Sequence, residues 1–113
     1  MKDGCPFCDY SGPSKILKQW NWFEGGLIYV IEPINPVVDG HVLVIPAKHV
    51  NSAADNPILA GNVFHSAALY AKNNYKSFNL ITSVGKEATQ TINHLHVHVV
   101  PRKENDGLKL PWS

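Results

Sequence analysis

Three of the six histidines in this 113-residue chain fall within five positions, His94-Leu95-His96-Val97-His98. In an extended segment alternate side chains share a face. His94, His96 and His98 would then line one side, and Leu95, Val97 and Val99 the other. Successive members of each row lie about 6.6–6.8 Å apart. The aliphatic row can join a core while the imidazoles meet a cleft. Three readings fit such a row. One is a run of half-buried surface histidines, although crowding groups that charge near a pKa of about 6.5 is costly. Another is a histidine metal site that activates water, with two of the three reaching one ion. The third is a nucleophilic centre, in which one imidazole attacks phosphorus and its neighbours orient it.

Cys5 and Cys8 have the Cys-x2-Cys spacing that brings two thiolates to one tetrahedral ion. Alone they make half a site, because no local His-x3–5-His pair completes a finger. A redox pair is a weaker reading, since no thioredoxin-like βαβ pattern follows. Two unpaired buried cysteines remain a third.

The elements that position these residues can be placed from punctuation and period. Trp20, Trp22 and Phe23 begin a first strand, and Glu24-Gly25-Gly26 signals a turn. Leu27 to Ile31 is a β-rich run ended by Pro33 and Pro36. Val37-Val38-Asp39-Gly40 turns the chain into a buried strand, His41 to Ile45, stopped by Pro46. Asn56-Pro57 reads as an N-cap followed by proline at the first helical position. From Ile58 to about Lys72, Leu59, Val63, Ala67 and Tyr70 recur at helical spacing, with Phe64 and Ala68 widening the stripe. Asn73-Asn74 ends that helix. Phe78 to Thr82 is a strand, 83–90 a polar loop around Gly85, and Ile92 to Val100 a strand stopped by Pro101. The tail is polar until Leu110-Pro111-Trp112. The pattern predicts an α+β fold, a mainly antiparallel five-stranded sheet with one long helix, in a single domain over residues 1–113.

Composition narrows the ligand. The formal net charge is +1, with 44% hydrophobic and 17% charged residues. That argues against global disorder and against long nucleic acid as a partner. A small phosphorylated ligand needs only a local anion site. No apolar run reaches the ~18 residues of a membrane span. The N-terminus lacks the apolar core of a secretory signal, and two cysteines three apart do not frame a disulfide scaffold. A reducing cytoplasm is the expected compartment.

His94-Leu95-His96-Val97-His98-Val99-Val100 resembles the His-φ-His-φ-His-φ-φ signature of the histidine-triad (HIT) superfamily. Thr89-Gln90-Thr91 resembles the Gly-Gln-Ser/Thr that leads into it. Gly40-His41-Val42-Leu43-Val44-Ile45-Pro46-Ala47-Lys48-His49 resembles the family's Gly-His-φ-Leu-Val-Ile-Pro-Lys-x-His strand, and Cys5-Pro6-Phe7-Cys8 the Cys-x-φ-Cys of many bacterial members. The branch it most resembles holds the small bacterial HIT hydrolases and the Hint proteins.

The resemblance implies His96 as a nucleophile toward the α-phosphorus of a nucleoside phosphoramidate or dinucleoside polyphosphate, through a nucleotidyl-histidine. It implies that His98 and His41 flank it at phosphate oxygens or the leaving group, and that Gln90, Thr91 and Ser83 bind phosphate. It supplies His49 and His94 as ligands that complete a structural Cys5, Cys8 zinc site. It also implies a homodimer, with Trp112 in a tail that can approach the partner's site. Some positions depart from the pattern. Ser83 stands where Asn is frequent, Thr89 where Gly is usual, Asn93 where an apolar residue is usual, and Pro33 where an Asp often binds ribose, with Glu32 beside it. Lys86 and Glu87 add opposite charges to the phosphate loop. A nucleotide-binding module with little catalysis, and a zinc hydrolase built on the histidine row, are the alternatives.

Overall fold

Asn56 opens the long helix α1 (Pro57–Asn74) by accepting the Leu59 N–H on its side-chain oxygen at 3.0 Å. Pro57 follows at the first helical position, where the N–H it lacks would have no partner. The helix ends where the Tyr75 N–H closes on the Ala71 carbonyl at 2.8 Å. These relations come from a computed structural model that describes residues 5–8, 10, 12, 15–22 and 26–109. Phe23, Glu24, Gly25 and the Leu110-Pro111-Trp112 tail lie outside the described residues.

Five strands precede and follow α1: β1 (Ile16–Trp22), β2 (Gly26–Ile31), β3 (Val42–Pro46), β4 (Phe78–Ile81) and β5 (Val97–Pro101). They form one antiparallel sheet in the order β1-β2-β3-β5-β4. The α+β architecture is as the sequence predicts. Among the described residues no helix is long and apolar enough to cross a membrane.

Strand alternation sorts side chains onto two faces. Ile28, Val30, Val42, Val44, Val97 and Val99 pack against Leu59, Val63, Ala67 and Ala71 of α1 in one buried cluster. At about 25 cal/mol per Å² of apolar area removed from water, this is the main stabilising layer. The opposite face gathers Tyr29, Ile31, Leu43 and Ile45 with Phe7. His98 pairs with Leu43 across β3 and β5, so it belongs to that second face.

Several boundaries differ from the sequence reading, among them three strand starts. β1 begins at Ile16, not Trp20, and a bulge between Ile16 and Lys18 breaks its alternation. It is also an edge strand with much of its length exposed, so no apolar run marks its start. β3 begins at Val42, because the His41 N–H turns back to the Val38 carbonyl at 3.2 Å. The most consequential difference concerns β5, which begins at Val97 rather than Ile92. The Leu95 N–H bonds the Val50 carbonyl at 2.8 Å, and the His96 carbonyl accepts the Thr82 hydroxyl at 2.7 Å. Loop and side-chain partners therefore replace the ladder before Val97. His94 and His96 do not share a strand with His98.

Candidate active site and metal centre

The bonds made by one nitrogen of each imidazole decide what the other can do. His96 Nδ1 lies 2.8 Å from the His94 carbonyl. A carbonyl only accepts, so Nδ1 carries the proton and Nε2 of the neutral ring carries the lone pair. A second chain starts at the backbone. The Val37 N–H donates to His41 Nδ1 at 3.1 Å. His41 then carries its proton on Nε2, which donates to His98 Nδ1 at 3.0 Å. His98 is left with its proton on Nε2. The rings of His96 and His98 meet edge to face at 5.3 Å between centroids. One imidazole thus presents a lone pair and its neighbour presents an N–H.

Both flanking rings are held neutral. Burial lowers the pKa of His41. His98 is pushed down to about 4, first by burial and then by the nearby His96 and His41 rings. Neutrality preserves the relay, because a charged His41 or His98 would no longer accept on Nδ1.

His41, His96 and His98 line a cavity of about 630 Å³ on the sheet face away from α1, with Ser83 and Thr91 on the loop side. A second cavity of about 400 Å³ adjoins it. Phe7, Leu43, Thr91 and Ile92 belong to the walls of both. The second is mostly apolar, with Glu32 and Asn35 among its polar lining, and Pro33 there offers no donor. The arrangement suits a ligand with an apolar part and an anionic part.

Gln90 behaves differently from Ser83 and Thr91. Its side-chain oxygen accepts the Gly85 N–H at 3.0 Å, and its side-chain nitrogen donates to the Asn51 and Ile92 carbonyls at 2.6 and 3.0 Å. The described geometry makes it the tie that holds the loop, and it does not line the cavity. Sequence reasoning missed Phe7, Asn79, Arg102 and Lys109 as cavity residues. For Phe7 a signal existed, since it stands between the two cysteines. Asn79 sits on β4, and Arg102 and Lys109 are recruited by the turn of the tail, which has no local pattern.

Thr89 lines the cavity with φ +68° and ψ 28°, a left-handed conformation. For a β-branched residue this costs about 1–2 kcal/mol. Thr89→Gly relieves it but frees the unfolded chain, which offsets roughly half of the gain. The expected net stabilisation is about 0.5–1 kcal/mol, read as a higher urea midpoint at unchanged slope. A lower midpoint would show that the loop carries no such strain.

The third histidine faces elsewhere. His94 is fully buried, and its Nε2 donates to the Pro46 carbonyl at 2.7 Å. His49 Nε2 donates to the Asn51 side-chain oxygen at 2.9 Å. Both therefore keep a lone pair on Nδ1, and these two nitrogens lie 3.2 Å apart. Cys5 Sγ is 3.3 Å from His94 Nδ1, and Cys8 Sγ is 3.2 Å from His49 Nδ1 and 3.6 Å from His94 Nδ1. All four donor atoms lie within 4.8 Å of one another. A tetrahedral ion with bonds of 2.0–2.1 Å to nitrogen and 2.3 Å to sulfur sets the nitrogens roughly 3.3 Å apart and unlike donors roughly 3.5 Å apart. The donor set fits such an ion. Without an ion the two thiols can donate to these lone pairs, so the fit rests on the convergence of four donor atoms. The predicted quartet Cys5, Cys8, His49 and His94 is brought together, and among the described residues His96 and His98 stand outside it.

The two centres touch. The His94 ring serves the donor cluster and its carbonyl fixes the His96 ring. Phe7, between the cysteines, packs edge-on to His94 and His96 at 5.8 and 5.4 Å.

Residues 21–105 match the model of the HIT domain. The chain is 33% identical over 115 aligned positions to an adenylylsulfatase of Arabidopsis thaliana, covering 96% of this chain and 57% of that protein, so it spans little more than half of that relative. It is 29% identical over 115 positions to the adenosine 5′-monophosphoramidase of Saccharomyces cerevisiae, covering 96% of this chain and 69% of that protein. A zinc-bound histidine triad family protein from Mycobacterium smegmatis superposes with a TM-score of 0.73 at 30% identity, covering 95% of this chain and 81% of that one.

Proposed function

Because this chain belongs to the HIT family, we propose that it is a nucleotide hydrolase in which His96 takes up a nucleotidyl group and passes it to water. The observation that carries this reading is the pair of fixed tautomers, a lone pair on His96 Nε2 and an N–H on His98 Nε2 at one cavity. The names of the plant and yeast relatives support an adenylyl compound as substrate.

In the proposed first step the His96 Nε2 lone pair forms a bond to the α-phosphorus. The bond from phosphorus to the leaving group breaks, and its electron pair departs with that group. An amine leaves with a proton drawn from solvent while the His98 Nε2–H hydrogen-bonds the departing nitrogen, whereas an oxyanion such as sulfate needs no proton. In the second step a water oxygen attacks the same phosphorus, and the N–P pair returns to His96. The water proton passes to solvent. Thr91 and Ser83 hydroxyls donate to the equatorial oxygens, where charge develops. The apolar second cavity takes the nucleoside, with Glu32 and Asn35 toward its hydroxyls.

Cys5, Cys8, His49 and His94 would hold zinc, which supplies structural cross-linking and no step of the reaction. With its ring so committed, His94 has no acid or base role. A homodimer is proposed as well, with the sheet edges β1 and β4 open to a second copy. The cytoplasm is the proposed compartment.

The test is incubation with adenosine 5′-phosphoramidate and with adenosine 5′-phosphosulfate, with AMP followed by chromatography. AMP formed in step with ammonia or sulfate supports a hydrolase. Tight AMP binding without turnover of either compound would favour a binding module instead.

A further inference from the structure

The segment after β5 folds back around one carboxylate. Asp106 accepts from Arg102 Nε at 2.8 Å and Nη2 at 3.2 Å, and from the backbone N–H groups of Lys103 and Leu108 at 3.1 and 3.0 Å. Arg102 also donates to the Asn79 side chain on β4 at 2.7 Å and to the Leu108 carbonyl at 2.9 Å. Asn105 and Gly107, with φ of +60° and +78°, supply the left-handed turns this loop requires. The buckle brings Leu108 and Lys109 onto the wall of the histidine cavity.

Charge and position then combine. Arg102 is matched by Asp106. Lys109 makes no ion pair among the described residues, so its charge is the uncompensated positive one on that wall. Glu87, on the 3-10 turn Lys86–Ala88, is the carboxylate that lines the same cavity. Arg102, Leu108 and Lys109 line the first cavity and not the second. A nucleotide with its nucleoside in the second cavity and its phosphorus at His96 would place its leaving group in the first cavity, whose walls include the tail.

We propose that Lys109, held in place by the Arg102–Asp106 buckle, is a specificity-determining residue that favours anionic leaving groups, with Glu87 opposing it. This rests on the hydrolase reading above. When adenosine 5′-phosphosulfate reacts, the N–P bond to His96 forms, the P–O bond to sulfate breaks, and sulfate leaves as the dianion with both electrons. A cation beside the departing oxygen stabilises that charge. When the phosphoramidate reacts, the P–N bond breaks, and nitrogen leaves as ammonia after taking a proton from solvent. No net negative charge reaches the tail.

The experiment compares kcat/KM for the two compounds in the wild-type protein and in Lys109→Gln, Lys109→Arg and Glu87→Gln. Lys109→Gln is expected to lower the phosphosulfate-to-phosphoramidate ratio about tenfold, the effect of roughly 1.4 kcal/mol. Lys109→Arg restores the ratio and Glu87→Gln raises it. Added salt lowers the wild-type ratio and does not lower the Lys109→Gln ratio, where Glu87 is the unpaired charge left on the wall among the described residues, because screening acts on exposed charge. Equal loss on both compounds, or a ratio that ignores residue 109, would overturn the assignment while leaving the hydrolase intact. Silence of the wild-type protein on both compounds would overturn the hydrolase reading and this assignment with it.

Discussion

The His96→Ala protein is expected to release AMP at least about a thousandfold more slowly than wild type, as enzymes do on losing the attacking group. The neighbours cannot replace it. His98 Nδ1 already accepts the His41 N–H, and its Nε2 carries a proton. His41 Nδ1 accepts from the Val37 backbone. The His94 Nδ1 lone pair faces the cysteine sulfurs. His96 is the imidazole of the row whose spare lone pair is left for the cavity. Its ring is half-buried at the cavity wall and outside the helix-facing core, so its loss leaves the main packing layer intact. Urea midpoints within about 1 kcal/mol of wild type would separate lost chemistry from lost folding.

Removing metal from the four-donor cluster is expected to have the second large effect. A zinc-loaded chain treated with a strong chelator should melt about 10 °C or more lower, since structural zinc contributes several kcal/mol and each kcal/mol moves a domain near this size by about 4–8 °C. Cys8→Ser should reproduce the loss and bind less than one zinc per chain. The loss should reach the reaction centre too. Phe7 is carried by the same knuckle and touches the His96 ring, and the His94 carbonyl fixes that ring. Nucleotide affinity measured by calorimetry should therefore fall with the metal. An unchanged melting temperature in verified metal-free protein would contradict a structural role.

The faces of the fold were legible in the sequence because burial follows side-chain alternation. Leu95, Val97 and Val99 do share the helix-facing core, and Asn56-Pro57 does start the helix. The ladder was less legible. Alternation continues through residues 94–96, but the pairing there goes to Val50 and Thr82, partners that period alone cannot reveal. For the same reason His94 belongs with the cysteines rather than with His96. The metal quartet was accessible only through resemblance, since His49 and His94 are 45 positions apart and share no local pattern. Gln90 had the right neighbourhood but spends its amide on three backbone groups. The tail was opaque because Arg102 finds Asn79 across the sheet, 23 positions away.

The most direct measurement is peptide mapping by mass spectrometry of protein quenched in base during turnover of adenosine 5′-phosphoramidate, which preserves a phosphorus–nitrogen bond. An adenylyl group on His96, formed and lost at rates consistent with AMP release, is the predicted result. Adenylylation of His98 instead, or sustained AMP release by the His96→Ala protein, would contradict it.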